Sequence, residues 1–437
     1  MNFAGKRVTI MGLGRFAGGV EAARWLAEQG ACVTITDTAS ESKLAESIQA
    51  LHGVSIERWQ LGSHDEADFQ QADYIVVNPA IKPGHPLLEI ARQSGARLTS
   101  EIELFLSHCP TANIIGVTGS NGKSTTTAMT AAILRQAGKQ VWLGGNIGKS
   151  LLPHLKQMKH EDWVLLELSS FQLSRLSSDV RWPSVAIITN CTPNHLDWHP
   201  DYHHYRHSKQ RLITQLPPTG LAVFDPLDPE LSTWQTLVKS RHLAPWKVDS
   251  VPRLQVPGVH NRQNAALAAA AAEACGANRK DIEQALVEYE ALPHRLQQVA
   301  EMEGRRYFND SLATTPEAAL TALFAFDTPV WLLCGGADKG SDFAPFCRQL
   351  ATHAAGAAFY GSTGPLLHSL TQSFAPAGHW SCFDTLAPAL SWCTAHAQPG
   401  HNIVLAPACA SFDQFTHFAQ RGEFFTQLVH NLTSPTR

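Results

Sequence analysis

Gly116-Val117-Thr118-Gly119-Ser120-Asn121-Gly122-Lys123-Ser124 is the stretch on which the reading of this chain turns. Apolar Ile114-Ile115 lead into it and the helix-like TTTAMTAAILRQAG leads out, so strand, glycine turn and helix follow one another. Its Gly-Lys-Ser ending is that of a phosphate-binding loop, although the usual spacing would put a glycine where Val117 stands. Gly116, Gly119 and Gly122 still let backbone N–H groups wrap a phosphate. Lys123 supplies a point charge for the β- and γ-phosphates, and Ser124 a hydroxyl for Mg²⁺. The motif points to ATP. Taken alone, it leaves a kinase, a hydrolysing switch and a ligase open.

Working outward, the same alternation recurs on both sides. Upstream, Val8-Thr9-Ile10-Met11 runs into Gly12-Leu13-Gly14-Arg15-Phe16-Ala17-Gly18 and an amphipathic stretch to Leu26; Val33–Thr36 ends in Asp37, and Tyr74–Val77 in Asn78-Pro79. Strand-like runs follow at Val141–Leu143, Trp163–Leu166 and Val185–Ile188, with an alanine-rich helix from Asn264 to about Ala274. Downstream lie Val330–Cys334 before Gly335-Gly336, and Ile403–Leu405 before Ala406-Pro407. Alternating strands and helices predict parallel βαβ units. The expected class is α/β in three domains: N-terminal Rossmann-like over 1–107, central P-loop ATPase-like with a parallel or mixed sheet over 108–296, and C-terminal Rossmann-like over 297–437.

The first glycine loop, Gly12-x-Gly14-x-x-Ala17, fits a relaxed dinucleotide fingerprint, with Asp37 as the acid that would face a sugar hydroxyl. An NAD site, another nucleotide and a purely structural turn all remain open for it.

Composition narrows the classes further. The 437 residues are 44% apolar and 16% charged, with a formal charge of −4, which is globular and gives no electrostatic footprint for nucleic acid. No apolar run approaches the ~18–20 residues of a membrane span. The N-terminal stretch reads as a strand rather than a signal peptide. Nine scattered cysteines without a C-x-x-C pair argue against a disulfide framework or zinc ribbon and for a reducing cytoplasm.

At this point the chain resembles the Mur ligases of peptidoglycan synthesis. The similarity begins with the ATP loop through Thr125-Thr126. It continues in Gly144-Gly145-Asn146-Ile147-Gly148, Glu167-Leu168-Ser169-Ser170-Phe171-Gln172-Leu173, Asn190-x-x-x-Asn194-His195-Leu196-Asp197 and Gly258-x-His260-Asn261-x-x-Asn264. His294-Arg295, Asn309-Asp310-Ser311 and Pro407-Ala408-Cys409-Ala410-Ser411-Phe412-Asp413-Gln414-Phe415 complete the series. The resemblance implies ATP-driven amide formation through an acyl phosphate, with the three domains binding UDP-sugar, ATP and amino acid. The last block and the length resemble the branch that adds D-glutamate to UDP-MurNAc-L-Ala; a folylpolyglutamate-type ligase or one using L-glutamate is the alternative. A monomer is expected.

Several roles follow from that resemblance. Lys123, Glu167, His195 and Lys209 are implied to be catalytic, and Ser124, Glu167, His195 and Lys209 to hold two Mg²⁺ ions, Lys209 as its N6-carboxylated (carbamate) form. Gly119, Ser120, Asn121, Gly122, Lys123, Ser124, Thr125, Asn261, Asn264, Arg295 and Asp310 would bind ATP. Gly14, Arg15, Asp37, Thr38 and Asn146 would bind the UDP-sugar substrate; Thr314, Lys339, Ser411 and Phe418 would bind the amino acid. By residue chemistry alone, Glu167 at a strand end suits Mg²⁺ as a hard oxygen ligand, whereas Lys209 reads as a solvated helix face. His195, His199 and His203 tempt a zinc reading, but Pro200 breaks any helix holding all three. Most of these histidines therefore read as simply solvated, with His195 the exception through the resemblance. One departure is notable: the family's N-D-S-K-A-T-N reads Asn309-Asp310-Ser311-Leu312-Ala313-Thr314-Thr315 here, so a cation is missing at Leu312.

Overall fold

The computed structural model describes residues 2–14 and 17–433. It resolves into two compact units, Met1–Val251 with Asn264–Leu286, and Pro252–Gln263 with Val287–Arg437.

The first unit holds two sheets. The N-terminal one contains β1 (Arg7–Met11), β2 (Cys32–Asp37), β3 (Arg58–Leu61), β4 (Tyr74–Val77) and β5 (Arg97–Thr99), ordered β3-β2-β1-β4-β5 and parallel throughout. The central one contains β6 (Ile114–Thr118), β7 (Val141–Gly145), β8 (Trp163–Glu167), β9 (Val185–Ile188), β10 (Leu221–Val223) and β11 (Arg241–Leu243). Its order is β11-β10-β9-β6-β8-β7, again parallel at every pairing. Every residue of β6 is buried, as expected for a parallel strand covered on both faces. Each glycine loop leaves the strand at which its sheet reverses order: β1 lies between β2 and β4, and β6 between β8 and β9. The crevice beyond the strand ends at such a switch point is where open α/β sheets bind ligands. One continuous apolar cluster, including Leu13, Phe105, Ile114, Leu166 and Trp182, joins the two sheets.

The second unit is built on β12 (Gln297–Met302), β13 (Arg305–Asn309), β14 (Val330–Gly335), β15 (Gly356–Tyr360), β16 (Trp380–Phe383) and β17 (Asn402–Leu405), ordered β12-β13-β17-β14-β15-β16. The expected Rossmann-like parallel pattern holds for five strands, but β12 pairs antiparallel to β13. The hairpin is made by Glu303 and Gly304, both at positive φ (49° and 74°), the backbone that a tight two-residue turn requires. The alanine-rich helix runs over Val259–Ala274, starting five residues earlier than its composition suggests.

Candidate active site

The loop after β6 leaves no room for side chains at two of its glycines. A Cβ on Gly119 would sit 1.8 Å from Thr189 Oγ1, and one on Gly122 (φ 81°) would sit 2.3 Å from Asn264 Oδ1. The walls also fix the loop by hydrogen bonds. Asn121 N–H donates to Asn190 Oδ1 (2.9 Å), Ser120 Oγ pairs with Tyr205 OH (2.7 Å), and Thr126 Oγ1 donates to Asn264 Oδ1 (3.2 Å). Lys123 opens the helix Lys123–Gln136, and its ammonium donates to Ser120 O at 2.8 Å. The result is a rigid anion cradle at a helix N-terminus.

Glu167 is the last residue of β8 and is 2% exposed. Its Oε2 accepts from Ser124 Oγ at 2.5 Å and its Oε1 from Asn146 Nδ2 at 2.8 Å. Asn146 N–H also donates to Glu167 O at 2.7 Å, so side chain and backbone of Glu167 are both held from the turn after β7. The Ser124 hydroxyl and the Glu167 carboxylate are hard oxygens of the type Mg²⁺ prefers, alongside waters and phosphate oxygens. Among the described residues no group of three or more His, Cys, Asp or Glu could hold a metal by itself.

Lys209 departs from the solvated reading. It lies on the helix Tyr202–Thr214, is 1% exposed, donates to Gly119 O at 2.6 Å, and lies 4.6 Å from the Tyr205 ring centroid. Burial, reinforced by the Lys123 charge, holds its ammonium well below the usual lysine range. His195 (φ 54°) is exposed overall, with its ring 5.0 Å from Phe171. Desolvation on that side, then the charges of Lys123 and Lys209, push its imidazole down.

The other histidines divide. His203 and His207 are exposed, but His199 is 1% exposed, its ring bonded to His204 (2.7 Å) and Ser170 Oγ (2.9 Å). His199 therefore stands apart from the solvated majority: burial and the neighbouring His204 push it down to about 4, so it is a neutral core hydrogen-bonding group. Helix formation begins only after the Asp201 cap, as Pro200 implied.

The first glycine loop forms one wall of a cleft of about 490 Å³ that also takes in Asn78, Glu101, Asn146, Phe171 and Gln172. Asp37 turns its carboxylate inward, accepting from Gly14 N–H (3.1 Å) and Ala39 N–H (2.8 Å). In this arrangement it shapes the loop; Thr38 beside it is exposed. Arg15 lies outside the described residues. Glu101 accepts from Ser150 Oγ, and burial raises its carboxyl to about 7.

Within the second unit, Asn261 Nδ2 donates to Pro257 O at 2.6 Å. Leu296 N–H donates to Asp310 Oδ1 at 3.1 Å, and burial raises Asp310 to about 7. Arg295 is flanked by His294 and Leu296, both at positive φ (62° and 45°). Lys339 is exposed, Thr314 half-buried, Ser411 2% exposed, and Phe418 begins the last helix with its ring 6.1 Å from that of His294.

Tyr205, Glu101 and Arg421 escaped the sequence reading. Only Tyr205 left a signal there, four residues before Lys209 and therefore on the same helix face.

Comparison with known proteins agrees with this geometry. The family model for the MurD-like N-terminal domain of Mur ligases matches residues 6–100, that for the Mur ligase middle domain 117–253, and that for the Mur ligase glutamate ligase domain 294–409. The UDP-N-acetylmuramoylalanine--D-glutamate ligase of Roseiflexus sp. is 35% identical, covering 99% of this chain and 100% of that protein. The protein of that name from Geobacter metallireducens is 33% identical, with 100% of both covered. Among solved structures, UDP-N-acetylmuramate-alanine ligase MurC from Thermotoga maritima shares the fold with a TM-score of 0.61 at 17% identity, covering 98% of this chain and 100% of that one. MurF from Acinetobacter baumannii does so at 0.59 and 15%, covering 96% and 93%. With relatives above 30% identity from end to end and the matched domains in order along it, the chain belongs to the Mur ligase family.

Proposed function

We propose that this protein joins D-glutamate to UDP-N-acetylmuramoyl-L-alanine at the expense of ATP, a step of peptidoglycan precursor synthesis. The substrates are those named by its full-length relatives. The observation that carries the chemistry is the set at the end of β6 and β8: a glycine cradle, Lys123 at the helix start, and Ser124 hydrogen-bonded to a buried Glu167.

The muramoyl-alanine carboxylate attacks the γ-phosphorus; an O–P bond forms, the bond to the β-phosphate oxygen breaks, and ADP leaves. The glutamate amine then attacks the acyl carbon, the C–O bond breaks with inorganic phosphate as leaving group, and the nitrogen loses a proton. Lys123 and the loop N–H groups offset the charge gathered on the phosphoryl oxygens, which is most of what phosphoryl transfer asks of a protein. Ser124, Glu167, His195 and a carboxylated Lys209 would hold two Mg²⁺ ions, which supply Lewis-acid neutralisation of the phosphates. Carboxylation of Lys209 forms an N–C bond to CO₂ with loss of a proton from nitrogen; burial favours the neutral amine this needs.

In this reading residues 1–107 bind the UDP-sugar, 108–296 the ATP and 297–437 the amino acid. The cleft with Gly14 and Asn146 takes the sugar nucleotide, and Thr38 is assigned to the same ligand. Asn261, Asn264, Arg295 and Asp310 are assigned to the nucleotide, and Thr314, Lys339, Ser411 and Phe418 to the amino acid. All nine cysteines are free and no helix of the described residues is long and apolar enough to cross a membrane. A cytoplasmic location and a monomeric state belong to the same proposal. The test is ADP release coupled to a reporter, with UDP-MurNAc-L-Ala and, in turn, D-glutamate, L-glutamate and uncharged amino acids. Turnover should require D-glutamate; a preference for L-glutamate or a folate acceptor would replace this reading.

A further inference from the structure

Arg421 is the most deeply buried charge in the second unit, with 0% exposure. Its guanidinium makes four hydrogen bonds to neutral oxygens: Nε to Ser311 Oγ (3.0 Å), Nη2 to Ser311 O (2.9 Å), and Nη1 to Cys409 O (3.1 Å) and Ala410 O (3.2 Å). Among the described residues no carboxylate lies within 4 Å of it. A buried cation without a counter-ion is costly unless something else answers its charge. Its bonds bind three chain segments into one piece: the last helix, the turn after β13 and the turn after β17.

The consequence falls on Ser411. In a trans peptide the C=O and N–H point in opposite directions. The Ala410 carbonyl faces Arg421 and also accepts from Ala337 N–H at 2.9 Å, so the Ser411 N–H is aimed the other way. There is no slack in this packing, since a Cβ on Gly336 would sit 2.0 Å from Ala410 O. Ser411 is 2% exposed, yet neither its N–H nor its hydroxyl has a hydrogen-bond partner among the described residues. An amide and a hydroxyl held side by side, with a buried guanidinium behind them that meets only neutral oxygens, are the kind of donors a carboxylate takes.

We infer that Arg421 is the positioning residue for acidic-substrate recognition: it aims the Ser411 donors and biases them towards a carboxylate-bearing amino acid. The inference rests on the amino-acid role proposed for Ser411. It also accounts for how this chain, with Leu312 where the family motif carries lysine, keeps a positive charge close to that pocket.

The experiment uses the full-length protein. Wild-type turnover first identifies the accepted amino acid, which tests the functional reading by itself; everything after is measured with that amino acid. Arg421→Lys keeps the charge but loses the planar fork, and should raise the KM for the amino acid ~10-fold, the usual scale for a charge-assisted hydrogen bond, while the KM for ATP stays within about twofold. In the double variant with Ser411→Ala, the fold-rise in the amino-acid KM should be smaller than the product of the two single rises. An unchanged amino-acid KM, an equal shift in the ATP KM, or full multiplication would each overturn the inference. If Arg421→Lys does not fold, the wild type still decides: the Arg421 Nε–H resonance should shift on saturation with the acidic amino acid and not with its amide analogue. No shift would be fatal to the idea.

Discussion

Replacing Lys209 puts the proposed two-cation site under the sharpest test. The ammonium is 1% exposed and donates to Gly119 O at 2.6 Å, so Lys209→Ala leaves that carbonyl without its donor and opens a cavity. An unsatisfied buried carbonyl costs about 1–3 kcal/mol, which a protein of this size survives. Lys209→Arg keeps a cation but adds volume against a loop that cannot retreat, because Gly119 is already boxed in by Thr189; overpacking of this kind costs about 1–3 kcal/mol. Neither change should unfold the chain, yet both remove the carbamate. Loss of one preorganised charge-stabilising group lowers kcat by ~10²–10³. ADP release at saturating substrates should fall by that factor in both variants. Short carboxylates such as formate should restore part of the Lys209→Ala activity and none of the Lys209→Arg activity, since only the former leaves space for an added carboxylate. Wild type grown with ¹³C-bicarbonate should show a carbamate carbon resonance that both variants lack. A fully active Arg variant, or wild type without that resonance, would show that Lys209 works as an ordinary cation.

Lys123→Ala should lower kcat by ~10²–10³, because the main task of its ammonium is the phosphate charge; a loss below tenfold in a folded variant would refute that role. Gly122→Ala places a Cβ 2.3 Å from Asn264 Oδ1 at a φ of 81°. It should weaken ATP binding at least tenfold as the cradle deforms, read by nucleotide titration, with about 1 kcal/mol of left-handed backbone strain added. Glu101 titrates at about 7 when folded against 4.5 when free, so the folded state holds the extra proton between those values. Stability should therefore fall as pH rises from about 4.5 to 7, by at most ~1.4 kcal/mol per pH unit, and Glu101→Gln, which can still accept from Ser150, should flatten that slope in melting curves.

Where the sequence was legible, it was so for a physical reason. β6, β8, β9, β14 and β17 are buried along essentially their whole length, so they print as apolar runs, of which β8 ends in Glu167 and β14 in Gly335. β3 and β12 sit at sheet edges, half in solvent, and print as mixtures such as RWQL and QQVAEM that no apolar run betrays. The same contrast governs the site. Lys123 and Ser124 act within one local turn and carry a motif. Lys209 looked like a surface lysine because the atoms that bury it, Gly119 O and the Tyr205 ring, include one ninety residues away in sequence. His199 and Arg421 are hidden for the same reason: Ser170, Ser311 and Cys409 become their partners only through tertiary folding.

The geometry around Glu167 explains why the cleft and the phosphate loop belong to one piece of machinery. Gly145, at a φ of 88°, approaches so closely that a Cβ there would lie 2.3 Å from Glu167 O, and Asn146 beside it grips both the backbone and the carboxylate of Glu167. Ser150, four residues on from Asn146, is tied to Glu101, so the short turn between them is fastened at one end to the wall of the cleft and at the other to the carboxylate that Ser124 meets. Asn146 itself lines the cleft. The cleft lining and the hold on Glu167 thus meet in one residue, Asn146. Neutral donors do the holding, and this matters electrostatically. An amide and a hydroxyl fix the Glu167 carboxylate without themselves carrying a charge, so its own charge stays available to a cation arriving with a phosphate.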